Sequence, residues 1–412
     1  MRLAIDPFRL RKNMEELAEF GWESTGGIWR ESFGAADQAA KQWLIAKIEA
    51  ARLHARQDAA GNVWGRLGPA GPAVLVGSHI DTVPAGGMFD GALGVVAALE
   101  CLQTIREQKP ALGHPLEMVA FSDEEGAFLS FLGSRAAVGA LRREELAEAQ
   151  NMQGVPLAQA LAACGLNVAE LLRARSTPHA IRAYLELHIE QGPRLEAAQI
   201  PIGIVRTIVG IAAYRITFQG EANHAGTTPL AVRKDALLGA AEFALQVDAW
   251  VRSHTLGVVT VGNMDVLPGA FNIVPGEVRL ALEFREASSA QLASMEQAIL
   301  QIGAEVAHQR NLGFRAQKLS WDEPVALSPA IIAVIRQEAD ALGLKFQLMD
   351  SGAGHDAQIL APQTEAGMIF IPSLQGKSHC PQENSRWEHI EQGAQLLLNC
   401  LLRLAGSESA KA

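Results

Sequence analysis

Short apolar runs alternate with helical patterns in the first and last parts of the chain. A helical pattern covers residues 8–57, and two more cover residues 93–107 and 136–149. The apolar runs have the length of β-strands and stop at polar residues; they lie at residues 73–76, 116–121, 183–187 and 368–371. Strands that alternate with helices predict an α/β sheet with helices on both faces.

Titratable residues follow these apolar runs. His79 comes after the first run, Glu124 and Glu125 follow the second, and His188 follows the third. The fourth run leads to His379 within eight residues. Because ligands of open α/β sheets bind beyond the carboxyl ends of the strands, these side chains predict a functional site at that edge.

The middle of the chain has a different pattern. Its elements follow the order β-α-β-β-α-β, which predicts a two-layer α+β domain. The predicted strands are residues 213–219, 258–261, 278–284 and 314–319, and the predicted helices are residues 234–251 and 289–309. We therefore predict an inserted domain at residues 208–324 within a first domain of residues 1–207 and 325–412.

Composition narrows the classes of protein that fit. The 412 residues carry 35 Lys and Arg against 45 Asp and Glu, a net charge of −10, which argues against a nucleic-acid binder. No apolar run approaches the ~18 residues that cross a bilayer. Charged residues near the start argue against a signal peptide, and four widely spaced cysteines without a CxxC pair favour reduced thiols. We expect a cytoplasmic protein with no membrane or nucleic-acid partner.

Two acidic residues accompany His79. Asp81 lies two residues later, so a strand would place both side chains on one face, and the Asp81 carboxylate could accept the second ring N–H of a metal-bound His79. Asp90 follows in a loop where glycines allow the backbone to approach a small site closely.

The adjacent carboxylates Glu124 and Glu125 have no Lys or Arg within nine residues, so holding them together requires nearby cations. One carboxylate could ligate a metal while the other takes a proton from water. Glu125 forms a mixed nitrogen and oxygen ligand set without thiolate, together with His79, Asp90, His188 and His379. This set suits Zn²⁺, Mn²⁺, Co²⁺ or Ni²⁺ in a catalytic site.

Six motifs, in order along nearly the whole chain, carry a resemblance to a known family. They read GSHIDTVPAGGMFDG, FSDEEG, ELHIEQG, NHAGTTP, SGAGHDA and KSHCP. This pattern resembles the amidase, hydantoinase and carbamoylase branch of the zinc aminopeptidase-like metallohydrolases. The resemblance implies an α/β, aminopeptidase-like three-layer catalytic domain with an inserted ferredoxin-like lid and dimerisation domain.

The same resemblance implies roles for the site residues and two divalent ions per subunit. One ion would be held by His79 and His188 and the other by Glu125 and His379, with Asp90 bridging them. Glu124 matches the general base that activates water. Asp81 matches the residue that orients His79.

The resemblance also implies a substrate site. His224 matches a histidine that the family delivers to the site of the partner subunit, where it stabilises an oxyanion. Asn272 and Arg285 match residues that grip a substrate carboxylate, and Gly354 lies in a loop that lines the pocket. His188, followed three residues later by Gln191, resembles the pattern of the ureido-hydrolysing members.

These residues predict a binuclear metal-dependent amidohydrolase that cleaves the ureido C–N bond of an N-carbamoyl-L-amino acid, and the resemblance implies a homodimer that forms through the inserted domain. Allantoate members tend to carry an arginine pair shortly after the hinge, and residues 209–214 contain none. Residues 351–362 and 368–373 nevertheless resemble the allantoate members, so allantoate stays an alternative. β-Ureidopropionase activity is a further alternative, and a dipeptidase or a catalytically dead binding relative are less favoured ones.

Overall fold

The computed structural model describes residues 3–24, 26–173, 181–254 and 257–406. Its strands are β1 His54–Gln57, β2 Val63–Leu67, β3 Ala73–His79, β4 Leu116–Phe121, β5 Ile181–Ile189, β6 Ile202–Ile208, β7 Gly210–Gln219, β8 Asn223–His224, β9 Val258–Leu267, β10 Ile273–Val274, β11 Glu277–Glu286, β12 Gly313–Asp322, β13 Val325–Ala326, β14 Phe346–Ser351 and β15 Glu365–Ile371.

The α-helices are α1 Pro7–Ala18, α2 Ala35–Ala50, α3 Ala92–Gln108, α4 Leu132–Val138, α5 Arg143–Glu148, α6 Leu157–Ala163, α7 Val168–Leu171, α8 Arg194–Ala198, α9 Ala236–His254, α10 Ser289–Gln309, α11 Pro329–Leu342, α12 Asp356–Leu360 and α13 Trp387–Ala405. The chain divides into two compact units. One comprises Met1–Arg206 and Ala326–Ala412, and the other comprises Thr207–Val325.

The first unit is built on a mixed sheet. Its strand order is β1-β2-β4-β3-β5-β15-β6-β13, and β14 pairs with β6. The central strands β4, β3, β5 and β15 are parallel, so their carboxyl ends lie at one edge. On β5, Leu185 and Leu187 belong to the apolar cluster formed with α3 and α13. Glu186, on the opposite face, contacts the start of α12. Helices therefore cover both faces, as the alternating pattern predicted.

Two helical predictions for this unit were wrong in detail. Residues 8–57 form α1, α2 and the strand β1 rather than one helical region. Two of the intervening glycines, Gly21 and Gly26, have positive φ angles, a conformation that ends helices. Residues 136–149 are interrupted for the same reason, because Gly139 caps α4 with a φ of 73° before α5 begins.

The second unit is a four-stranded antiparallel sheet with the order β12-β7-β11-β9. Alternate residues of β7, including Ile216 and Phe218, are buried in a core with Phe243 of α9 and Met295 of α10. Both long helices therefore lie on one face, and the observed element order is β-α-β-β-α-β with a small β8–β10 pair added.

Three further observations concern Arg206, the cysteines and the helices. Arg206, for which the sequence suggests no purpose, forms an ion pair of 3.0 Å with Asp350 of β14. All four cysteines are free thiols. Among the described residues, no helix is long and apolar enough to span a membrane.

Candidate metal centre and substrate residues

The parallel strands of the first unit bring the predicted ligands together. Strand β3 lies between β4 and β5, and its last residue, His79, pairs in register with Phe121 at the end of β4. Glu124 and Glu125 follow directly after β4, and His188 lies at the end of β5. The edge predicted from the apolar runs is thus where these four side chains meet.

Asp90 lies at the centre of this group and uses its two oxygens differently. Oδ1 is 3.2 Å from Nε2 of His188 and 4.0 Å from Nε2 of His79. Oδ2 is 3.2 Å from Nε2 of His379. Burial opposes charge on Asp90, but hydrogen bonds from His188 and His379 hold the pKa of its carboxyl well below the ordinary value. Asp90 is therefore placed to bridge two neighbouring positions.

The two glutamates face different histidines. Oε2 of Glu124 is 3.5 Å from Nε2 of His79, whereas Oε1 of Glu125 is 3.7 Å from Nε2 of His379. Burial, reinforced by Glu125, raises the pKa of Glu124 well above its usual range. Burial and the charge of Asp90 raise the pKa of Glu125 to about 8. Both carboxylates therefore favour a nearby positive charge.

The orientation of His79 differs from the expectation for Asp81. Nδ1 of His79 lies 3.0 Å from the backbone oxygen of Asp81, and the nearest oxygen of the carboxylate is 3.8 Å away. The carboxylate turns instead towards the backbone N–H of Glu125, which donates to Oδ2 at 3.2 Å. The ring of His188 is oriented in the same way by the backbone oxygen of Ile189, at 2.9 Å. Backbone carbonyls therefore fix both rings.

The donors fit a pair of divalent cations. Four groups of three described residues each place one donor atom per residue within 4.8 Å of the other two. Three of them consist of predicted site residues, namely His79–Asp90–His188, His79–Glu124–Glu125 and Asp90–Glu125–His379, and the fourth is Glu186–His188–His355. Oε1 of Glu125 and Oδ1 of Asp81 are buried without a hydrogen-bond partner in the described part of the chain. Buried oxygens of this kind are normally satisfied, so these two are suited to contact a cation. Nitrogen and oxygen ligands suit borderline divalent metals.

Glu383 is a residue that the sequence reasoning missed. It is 5% exposed, and its Oε1 accepts hydrogen bonds from the backbone N–H groups of Phe89 and Asp90, both at 3.0 Å. Ser378 donates to its Oε2 at 2.9 Å and also lies 3.2 Å from Oδ2 of Asp90. Gly87 leaves room for this carboxylate, because a Cβ there would lie 2.2 Å from Oε1. Glu383 thus holds the backbone and side chain of Asp90 in place.

Glu186 and His355 were also not assigned roles. Glu186 is fully buried and accepts from Ser78 at 2.7 Å, from Tyr184 at 3.1 Å and from the N–H of Ala357 at 3.1 Å. The ring of His355 packs edge-on against that of His188 with centroids 4.5 Å apart. The two-residue period of β5, which places Glu186 and His188 on one face, is the signal that could have found Glu186.

Two predicted substrate residues lie in the first unit. Nε2 of Gln191 donates to Oδ2 of Asp90 at 2.9 Å and is 3.3 Å from Nε2 of His379. Gly354 directly precedes His355, and a Cβ on it would lie 2.7 Å from the ring of Phe131. Gln191 therefore reaches the metal ligands themselves, while Gly354 lies in the loop beside His355.

The other three predicted residues lie in the second unit. His224 on β8 pairs in register with Ile273, and the N–H of Ala225 donates to the backbone oxygen of Asn272 at 2.9 Å. His224 is exposed, and its Nδ1 accepts from the N–H groups of Gly226 and Thr227 at 3.0 and 3.2 Å. The ring proton therefore lies on Nε2 in the neutral form.

Arg285 is not brought near this pair within the second unit. It lies at the far end of β11, where its Nε donates to Glu283 at 2.8 Å. His224 and Asn272 lie near the other end, where Glu277 begins the strand. Eight residues of extended strand separate those ends by about 27 Å. One copy of the second unit therefore does not present all three side chains to a small molecule.

Comparisons with known proteins agree with this architecture. Residues 75–403 match the family described as Peptidase family M20/M25/M40. The chain is 40% identical to an N-carbamoyl-L-amino-acid amidohydrolase of Paenarthrobacter aurescens, over 96% of this chain and 97% of that protein. It is 38% identical to an N-carbamoyl-L-amino acid amidohydrolase of Geobacillus stearothermophilus, over 97% and 99%. An amidase of the hydantoinase/carbamoylase family from Burkholderia multivorans superposes with a TM-score of 0.91 at 33% identity, covering 98% of this chain and 99% of that one.

Proposed function

Because the chain belongs to the peptidase family M20/M25/M40 and is a metal-dependent hydrolase of C–N bonds, we propose that its substrate is an N-carbamoyl-L-amino acid. Hydrolysis breaks the bond between the carbamoyl carbon and the nitrogen of the amino acid. The carbamate released decomposes to CO₂ and ammonia, so one water is consumed and the free amino acid remains.

The observation that carries this proposal is the arrangement around Asp90. One of its oxygens faces His79 and His188, and the other faces His379, with Glu125 beside it. This arrangement fits two cations that share one carboxylate. When bound, the two ions supply Lewis acidity at the carbamoyl oxygen and lower the pKa of water.

Glu124 moves the proton in this proposal. Its carboxylate lies beside His79, and burial raises its pKa, which makes it a stronger base than an exposed glutamate. It takes a proton from the attacking water and returns it to the leaving nitrogen. Gln191, which already donates to Asp90, is placed to contact the substrate at the same edge.

His224 supplies a hydrogen-bond donor. Because Nδ1 accepts two backbone N–H groups, Nε2 carries the proton and is exposed for donation to the carbonyl oxygen of a substrate. Such a donor stabilises the charge that develops on that oxygen during attack.

We further propose that the active enzyme is a homodimer. Asn272 and Arg285 would grip the single carboxylate of the substrate, and Arg285 can do so with two hydrogen bonds. The separation of Arg285 from His224 and Asn272 along β11 favours a site that takes Arg285 from one copy and the other two from its partner. A closed twofold dimer is the commonest assembly that meets this requirement.

The native metal and the location of the enzyme complete the proposal. Histidine and carboxylate ligands, with two histidines at one position and one at the other, favour Zn²⁺, with Mn²⁺, Co²⁺ or Ni²⁺ as substitutes. Four free thiols are consistent with a cytoplasmic location.

A substrate panel on metal-reconstituted protein tests the activity. We expect ammonia and free amino acid from N-carbamoyl-L-amino acids, and slower or no turnover of allantoate, β-ureidopropionate and dipeptides. Preferred turnover of allantoate would assign the chain to purine ureide breakdown instead. Turnover of dipeptides alone would refute the proposed reaction, and elemental analysis of the same sample identifies the metal.

A further inference from the structure

The second unit has a polar basin on the face of its sheet that its long helices leave open. The basin is a cavity of about 730 Å³, and every residue that lines it belongs to β7, β9, β11 or β12. Its polar side chains come from alternate positions on these strands, opposite to the apolar positions that pack against α9 and α10. The basin lies wholly within one unit and contains none of the proposed catalytic or substrate residues.

Small residues form the floor of the basin. Thr217, Ala281 and Gly313 lie among longer side chains, which creates the depression. In register, Thr217 pairs with Arg279 on one side and Arg315 on the other, and Arg215 pairs with Ala281. Three guanidinium groups therefore surround Thr217.

Two of these arginines differ from the third in their contacts. Neither Arg215 nor Arg315 makes a hydrogen bond or ion pair with any residue that the structure describes, whereas Arg279 is held by Glu277 at 2.6 Å. Asp265, opposite Arg279 on β9, is the other acidic residue of the basin. Arg215 and Arg315 concentrate positive charge locally on a protein whose net charge is −10. Because adjacent like charges repel each other, a bound anion would stabilise these two arginines.

We propose that this basin binds a small oxyanion with two negative charges. Each unpaired guanidinium can donate two hydrogen bonds to a carboxylate or phosphate, and the two charges of the ligand match Arg215 and Arg315. The hydroxyl of Thr217 and the amide of Gln317 add neutral partners beside them.

The test is a calorimetric titration of the full-length holoenzyme with inorganic phosphate and, separately, with succinate, at constant ionic strength. The test variant is Arg215→Gln/Arg315→Gln. The matched control is Lys234→Gln/Arg252→Gln, which removes two exposed positive charges that lie outside the basin. Binding at the metal centre is common to all three proteins and cancels in the comparison.

We expect the wild type and the control to bind at least one of the two anions. The test variant should bind it about tenfold or more weakly, because it lacks two charge-assisted donors. Binding of phosphate alone would identify a phosphate site, and binding of succinate alone would identify a dicarboxylate site. Equal anion affinity of the wild type and the test variant would overturn the proposal. Absence of binding of either anion to the wild type would also overturn it. Unchanged melting temperatures would show that both variants are folded.

Discussion

At the scale of single residues, the site depends on close approach of the backbone to the histidine rings. Gly91 is the N-cap residue of α3 and has a φ of 61°, and its N–H donates to Nε2 of His188 at 3.1 Å. A Cβ at this position would lie 2.3 Å from Nε2 of His79. Only glycine allows both histidines to face Asp90 from the observed positions.

We therefore expect Gly91→Ala to displace His79 and to lower activity by about 100-fold or more, because displacements of about 1 Å have effects of that size. Bound metal should fall with it. Gly343→Ala is the matched control, since Gly343 has a φ of 70° and nothing within 4 Å of its Cβ position. The control should lose only about 1 kcal/mol of stability and keep its metal. Full metal content in Gly91→Ala would contradict this account.

Glu124 is predicted to act on protons rather than to hold metal. Glu124→Gln should lower kcat by about 10²- to 10⁴-fold while metal content stays near normal, because the amide cannot accept the proton from water. The exposed Glu144→Gln is the control and should match wild type. Kinetics and elemental analysis on the same samples provide both measurements, and retained activity would remove Glu124 from the mechanism.

At the scale of elements, the loop that carries His379 also supports the loop that carries Asp90. Glu383 connects the two through the N–H groups of Phe89 and Asp90 and through Ser378. The two loops are about 290 residues apart in sequence, as the separation of Asp90 and Glu383 shows. A substitution that disturbs one loop should therefore weaken metal binding by the ligand that the other loop carries.

Glu383→Gln should weaken metal binding by about 10- to 100-fold, the usual effect of losing a partner that orients a ligand. Glutamine keeps one acceptor oxygen for the two backbone N–H groups but loses the second acceptor for Ser378. Competition with a chromophoric chelator measures the affinity. Glu388→Gln, at an exposed position of α13, should leave it unchanged, and an equal loss in both variants would argue for a general effect of charge.

The sequence predicts the elements that have a clear local pattern. β4 and α10 were predicted with their observed limits, and the four central strand ends led to His79, Glu124, Glu125 and His188. The short strands β1, β2 and β13 and the role of Glu383 were missed. The strands β1 and β2 form a local hairpin whose members are too short to show a period of their own. Strand β13 is defined by pairing with the distant β6, and Glu383 by two distant backbone N–H groups, neither of which leaves a local periodicity.

At the scale of the whole molecule, the proposed dimer makes a prediction about mixed subunits. A dimer of one Glu124→Gln subunit and one His224→Ala subunit has one site with both defects and one site with none, if His224 acts in the partner. We expect mixed dimers purified through two different tags to recover about half of the wild-type activity.

Each variant homodimer is the control for this experiment and should be nearly inactive. Mixed dimers that are as inactive as the homodimers would show that His224 serves its own subunit. A protein that runs as a monomer at the concentrations of the assay would contradict the dimer itself.

The second unit leaves and re-enters the first at a single place. Strands β6 and β13 are neighbours in the sheet, and the N–H of Leu327 donates to the backbone oxygen of Arg206 at 2.8 Å. All five proposed metal ligands lie on one side of this junction in the fold, although the junction interrupts them in sequence. The part that holds the cations is thus modular: a hydrolase of this architecture can exchange the whole intervening segment while its metal ligands stay intact, so the substrate contacts of His224, Asn272 and Arg285 can evolve apart from the metal centre.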